Sequence, residues 1–253
     1  MLESLRIAFA TYSRIPVGHN NWSERGMKYS LCFFPLVGAV IGFAELLLFC
    51  ILNALHAGPL LRGCLLTVLP ILITGGIHID GFMDTLDALQ SMKSREEKLE
   101  IMKDPHVGVF ALIGLVVYMV ISVGIWSRIS IAAMPLVIFI FMMSRALSGL
   151  AAASFPKARK DGMLATMTDP MDERAIGILG VEVIALAVAV IIAGICLGHI
   201  GLALLLLLLF AVVYVIYYLV MLYQFGGTTG DLAGWFLQLV ELVCLLVTAL
   251  VMH

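Results

Sequence analysis

Long, nearly uninterrupted apolar runs alternate with a few polar stretches, and that alternation organises the whole chain. The runs are Leu31 to Leu55, Leu60 to Ile79, Val109 to Trp126, Ile129 to Ala153, Ala175 to Leu197, Ile200 to Leu222 and Leu232 to Met252. Each is close to the length of about 17–25 residues that crosses a hydrocarbon core as a helix. None shows the two-residue alternation of a barrel strand, and lipid admits only helices and closed barrels. The pattern predicts an all-α polytopic membrane helix bundle of about seven spans, folded as a single integral membrane domain over residues 1–253. Before the first run, Leu2, Leu5, Phe9 and Tyr12 recur at helical spacing, which predicts a short interfacial helix and not a cleavable signal.

Composition agrees, with 62% hydrophobic and only 13% charged residues. A net charge of −2 excludes a nucleic-acid binder and leaves the lipid bilayer as the obvious surrounding. Charge placement says more than charge total. Of the 15 Lys and Arg, four lie in Met1 to Ser30, four in Gly81 to Gly108 and four in Ser154 to Arg174. By the positive-inside rule all three stretches face the cytoplasm, and alternation of spans brings Tyr223 to Asp231 to the same side. A prokaryotic inner membrane with a cytoplasm-facing site is the expected location. The five cysteines form no CxxC pair and predict no disulfide framework.

The richest polar segment is Gly75-Gly76-Ile77-His78-Ile79-Asp80-Gly81-Phe82-Met83-Asp84-Thr85-Leu86-Asp87-Ala88. On a helix turning about 100° per residue, Asp80, Asp84 and Asp87 fall within about 60° of one another. Three like charges on one face repel, so a cation is expected among them, and a hard divalent ion with oxygen ligands fits best. Downstream, Ser94 and Glu97 have the spacing of a capping box for a short helix that ends before Pro105. Lys103, Asp104 and His106 follow in a tight turn, where they would complete a metal site or hold a phosphate.

Two further segments offer anion chemistry. Lys157, Arg159 and Lys160 crowd one cytoplasmic loop, a patch suited to a substrate phosphate. Gly226-Gly227-Thr228-Thr229-Gly230-Asp231 opens the last span, presenting backbone amides of Gly227, Thr228 and Thr229 at a helix N-terminus, with Asp231 as a further metal ligand or an N-cap. Arg145 lies eight residues inside Ala153, about 12 Å deep at 1.5 Å per residue. A cation there calls for an acidic group or a phosphate as partner. Glu45 and Glu241 are carboxylates within spans, without an evident partner in the sequence.

Taken in order, SRIPV, FFPLVGAVIG, GGIHIDGFMDTLDAL, SREEKLEIMKDPHVGVFA and FGGTTGDLAG resemble the cobalamin synthase family, the adenosylcobinamide-GDP ribazoletransferases. Many relatives carry a Ser-Arg type pair where this chain has Pro105-His106, and Gln238 stands where an acid is expected. The resemblance implies an enzyme that joins adenosylcobinamide-GDP to α-ribazole, or to its 5′-phosphate, and releases GMP. Its partners would be those two substrates and the bilayer, and association into a homo-oligomer is compatible with the sequence. It also implies Mg²⁺ on Asp80, Asp84, Asp87 and Asp231. The same resemblance casts Asp80, Asp84 and Asp104 as catalytic, with Asp104 or a carboxylate freed from the metal taking the hydroxyl proton. Lys103, Arg145, Lys157, Arg159, Gly227, Thr228 and Thr229 would bind substrate. Two alternatives stay open: a CDP-alcohol phosphatidyltransferase-like lipid enzyme, whose signature differs after Asp84, and a secondary transporter using Glu45, Glu182 and Glu241.

Overall fold

In the structure, a computed structural model, residues 1–18 and 22–252 are described. Helices account for the fold: α1 (Leu2–Tyr12), α2 (Glu24–Met27), α3 (Phe34–Ala54), α4 (Pro59–Thr74), α5 (Ile77–Gln90), α6 (Arg95–Ile101), α7 (Val109–Arg128), α8 (Met134–Ser154), α9 (Met163–Thr168), α10 (Glu173–Cys196), α11 (Ile200–Val220) and α12 (Gly230–Val251). Short 3-10 turns lead into α3 and α8, and a π-turn at Met221–Phe225 prolongs α11. Among the described residues no strand forms, and the cysteines are unpaired.

Six of the helical segments are long and apolar enough to cross a membrane by themselves. The seventh expected span is the one the structure revises. A run over Leu60 to Ile79 was expected to be continuous, but α4 stops at Thr74 and the chain turns by 97° into α5. Gly75 and Gly76 both take positive φ, +67° and +84°, a conformation that costs other residues strain. A β-carbon at Gly75 would also meet the Arg14 side chain, 2.4 Å from Nε, so Arg14 would have to move. The turn therefore ends α4 as a left-handed C-cap and sets α5 on a new axis.

Burial divides the bundle into an axis and a shell. In α8, 78% of the central span is buried, against 17% in α10, so α8 is the helix around which the others pack and α10 faces lipid. Glycines make the tightest crossings: a β-carbon on Gly38 of α3 would lie 2.2 Å from the carbonyl oxygen of Phe141 in α8. Small residues are the usual means of bringing membrane helices together, since lipid supplies no hydrophobic drive between them. At the N-terminus α1 forms as expected, but its buried residues are Ser4, Ile7 and Ala8, with Phe9 and Tyr12 partly buried against the bundle and Leu2 exposed.

Hydrogen bonds and ion pairs tie the polar stretches together at one end of the bundle. Lys28 meets Asp172 at 2.6 Å, linking the first stretch to the third. The predicted capping box closes, with Ser94 Oγ accepting from Glu97 N–H and Glu97 accepting from Ser94 N–H. From that short helix Lys98 donates to Gln224 at 2.6 Å and Arg95 Nε donates to the Tyr223 carbonyl at 3.0 Å. Pro156–Ala158 and Thr228 exchange two backbone hydrogen bonds, at 2.7 and 3.0 Å. A β-carbon on Gly227 would strike Ala158 N at 2.3 Å, so glycine is needed for this contact.

Candidate active site

The site is built where α5 lies against α12. A β-carbon added to Gly81 would sit 2.7 Å from Asp231 Cα, and one on Gly234 would sit 3.0 Å from the His78 carbonyl. With glycine at both places the two backbones touch. That close approach puts Asp80 and Asp231 on the wall of one cavity of about 200 Å³, which reaches between α1, α3, α5 and α8. Tyr12, Phe34 and His78 form its aromatic side.

Two open clefts extend from it. A second space of about 270 Å³ shares Met163, Leu164, Gly230 and Asp231 with the cavity and is bounded by Arg159. A groove of about 550 Å³ along α6, lined by Lys103 and Asp104, also borders Arg159. The cleft joins the cavity through shared residues, and Arg159 stands between the cleft and the groove.

Electrostatically the centre of this site is unbalanced. The charges of Asp80, Asp231 and Asp87 all act on half-buried Asp84. Among the described residues, the side chains of Asp80, Asp84 and Asp87 make no hydrogen bond or ion pair. The cation acting on Asp231 is Arg159, whose guanidinium donates to the Leu99 carbonyl and keeps a buried Nε without a partner. Thr229, not Asp231, caps α12, its Oγ1 accepting from Leu232 N–H, so the Asp231 carboxylate is left for other work.

Whether these residues suit a metal depends on the metal. Among the described residues no three His, Cys, Asp or Glu side chains are gathered closely enough to hold an ion by themselves. Mg²⁺ does not need such a cage. It is commonly bound by one or two carboxylates plus substrate phosphates and keeps several waters. Asp80 and Asp231, two carboxylates on one cavity wall, are that kind of set. Asp87 is turned away: a β-carbon at Gly108 would lie 1.9 Å from its Oδ2, so the carboxylate rests against the start of α7.

The remaining sequence-predicted residues separate into distinct places. Asp104 is solvent-exposed in the α6 groove, where the His106 backbone N–H and then its ring hold the carboxyl below the usual carboxylate range. A carboxylate so stabilised is a weak base, and it does not reach the cavity. Lys103 pairs with Glu100 at 2.7 Å. Lys157 is paired with Asp169, and Thr228 is buried with its hydroxyl on Tyr217. Gly227 and Thr228 thus staple a loop, and Thr228, Thr229 and Gly230 line the cleft beside Arg159.

Arg145 resolves to the acidic of its two expected partners. Its NH1 meets Glu241 Oε1 at 2.5 Å and the Phe141 carbonyl at 2.9 Å, and Ser144 Oγ donates to the same carboxylate at 2.6 Å. The pair is buried and does not border the cavity, so the phosphate alternative for Arg145 is dropped. Sequence reasoning overlooked Tyr12, Phe34 and Ser148 as wall residues and gave His78 no role. A visible signal was the position of His78 two residues before Asp80.

Comparison with known proteins identifies the family. The family model for cobalamin-5-phosphate synthase matches residues 4–249. An adenosylcobinamide-GDP ribazoletransferase of Lachnoclostridium phytofermentans is 42% identical over 96% of this chain and 91% of its own length. Proteins of the same name from Bradyrhizobium diazoefficiens and Clostridium botulinum are 32% and 29% identical, over 98% and 96% of this chain and 94% and 95% of their own lengths. No solved structure matches the chain. A helical membrane bundle with unpaired aspartates at one end, matched nearly end to end in sequence, places this chain in the cobalamin-5-phosphate synthase family.

Proposed function

We propose that this protein joins adenosylcobinamide-GDP to α-ribazole or its 5′-phosphate and releases GMP, at a site facing the cytoplasm from a prokaryotic inner membrane. In chemical terms a ribose hydroxyl attacks the phosphorus attached to the corrinoid's aminopropanol arm. A new P–O bond forms, the pyrophosphate P–O bond breaks, and GMP leaves with the electron pair. The hydroxyl proton passes to the protein.

The observation that carries this is the set of carboxylates without protein partners beside a cavity that opens toward Arg159. Asp80 and Asp231 would hold Mg²⁺ together with the pyrophosphate. Bound there, the ion supplies charge neutralisation for the leaving phosphate. Arg159 and the amides at the start of α12 orient the phosphates of the nucleotide, a cation and a helix N-terminus converging on one anion. Asp84, one turn further along the same face of α5, takes the hydroxyl proton. Asp104, held as a weak base in the outer groove, does not. Catalysis of this sort is mostly positioning and electrostatics. Family membership leaves neither a phosphatidyltransferase-like nor a transporter assignment in favour.

Purified protein in lipid nanodiscs, given both substrates and Mg²⁺, should release GMP in step with cobalamin product. No GMP above the background of an Asp80→Asn preparation would refute the transfer.

A further inference from the structure

We propose that the 200 Å³ cavity below Asp80 and Asp231 is the seat of the flat base of the ribazole substrate, and that neither the corrin nor the guanine enters it. The assignment rests on the transfer proposed above and adds which part of which substrate goes where.

Size is the first argument. Sites that enclose a whole drug-sized ligand run to about 300–1,000 Å³, so this one fits a two-ring base and excludes a corrin. Shape is the second. Tyr12 and Phe34 have ring centroids 4.2 Å apart, and His78 lies 5.6 Å from Phe34 and 6.2 Å from Tyr12, making one continuous aromatic wall. Across from it Gly149 and Ala152 of α8 present almost no side chain. A slot with an aromatic wall and a bare opposite face favours a planar π-system.

Polarity then separates one base from another. His78 is 5% exposed and lines the cavity, and its buried Nε2 has no partner. Ser148 Oγ reaches only the Ala233 carbonyl, at 3.5 Å. His78 and the hydroxyls of Tyr12 and Ser148 are a few separate polar groups on a largely apolar inner wall, which suits a benzimidazole with one free ring nitrogen. Guanine carries several donors and acceptors on its edge, and burying them without partners is costly. Asp80 and Asp231 at the mouth meet the ribose end, which is where the attacking hydroxyl must be. The GDP half is left to the neighbouring cleft beside Arg159.

Calorimetric titration of α-ribazole and of guanosine into nanodisc-embedded protein, without the corrinoid substrate, tests this directly. α-Ribazole is expected to bind and guanosine not to compete. Ala152→Phe fills the slot and should weaken α-ribazole binding at least tenfold, and His78→Ala should weaken it about tenfold. Gly149→Ala meets its neighbours only at ordinary contact distance, 3.5 Å or more, so it narrows the slot without a clash and serves if the larger change fails to fold. It too should reduce affinity, with the melting temperature unchanged. Guanosine competing with α-ribazole, or α-ribazole binding undiminished in Gly149→Ala and His78→Ala, would overturn the assignment. The two proposals fail separately. Wild-type protein that binds α-ribazole in this way but releases no GMP keeps the pocket and loses the transfer. GMP release with α-ribazole binding untouched by every variant does the reverse.

Discussion

Two groups of charged side chains in this bundle are treated in opposite ways. Midway through the spans, Arg145 and Glu241 are buried and satisfy each other, with Ser144 sharing the carboxylate. At one end, Asp80, Asp84, Asp87 and Asp231 act on one another and the protein supplies little to offset them. The first arrangement is paired within the protein, and removing one member leaves a buried charge alone. The second is open. Its carboxylates face one another with little positive charge nearby, which is where the proposed cation would sit. Depth alone does not separate the two, since Glu45 is also fully buried within a span and its carboxylate has no hydrogen-bond partner.

If that contrast holds, substitutions in the two regions should separate activity from stability. Asp80→Asn keeps the shape and removes one ligand, so GMP release should fall about 10³-fold, equivalent to about 4 kcal/mol of barrier, with the melting temperature unchanged. Loss of folding in this variant would mean the carboxylate is structural. Arg145→Ala should do the opposite and destabilise the fold by about 3 kcal/mol, since breaking a buried pair strands the other charge. Replacing both partners by apolar residues should restore much of that stability, as measured by denaturant unfolding in detergent.

Smaller effects sharpen the boundary between the regions. Arg159→Ala should raise the KM for the GDP-linked substrate about tenfold, or about 1.4 kcal/mol, and leave α-ribazole affinity alone. Lys157→Ala should change neither constant by more than about twofold, because its partner Asp169 lies at the surface and exposed pairs contribute under about 1 kcal/mol. A larger effect of Lys157 than of Arg159 would move the phosphate site to the outer loop.

Much of the fold was legible because its signals are local. Apolar run length gave the spans, Ser94 with Glu97 gave the start of α6, and the spacing of Asp80, Asp84 and Asp87 gave the acidic helix face. The break at Gly75-Gly76 was not: two glycines in an apolar run fit a helix, and the positive φ of both, with the Arg14 N–H donating to the Ile73 carbonyl just past α1, belongs to the folded chain. Pairing across the bundle was equally hidden. Arg145 called for a partner, yet the sequence could not choose between Glu241, 96 residues away, and a phosphate. The aromatic wall escaped notice because Tyr12, Phe34 and His78 belong to three helices whose meeting is a property of packing. Asp104 shows the converse, since a polar motif close in sequence to the acidic helix lies in a different groove in space.

The central claim is that the open carboxylates take a divalent cation jointly with the substrate pyrophosphate. Mn²⁺ binding followed by electron paramagnetic resonance tests it, with the nanodisc-embedded protein titrated with and without adenosylcobinamide-GDP. Bound Mn²⁺ should appear weakly in the protein alone and at least tenfold more tightly with the substrate, and both signals should vanish in Asp80→Asn/Asp231→Asn. Tight Mn²⁺ binding that survives the double substitution, or full turnover in excess EDTA, would contradict the account.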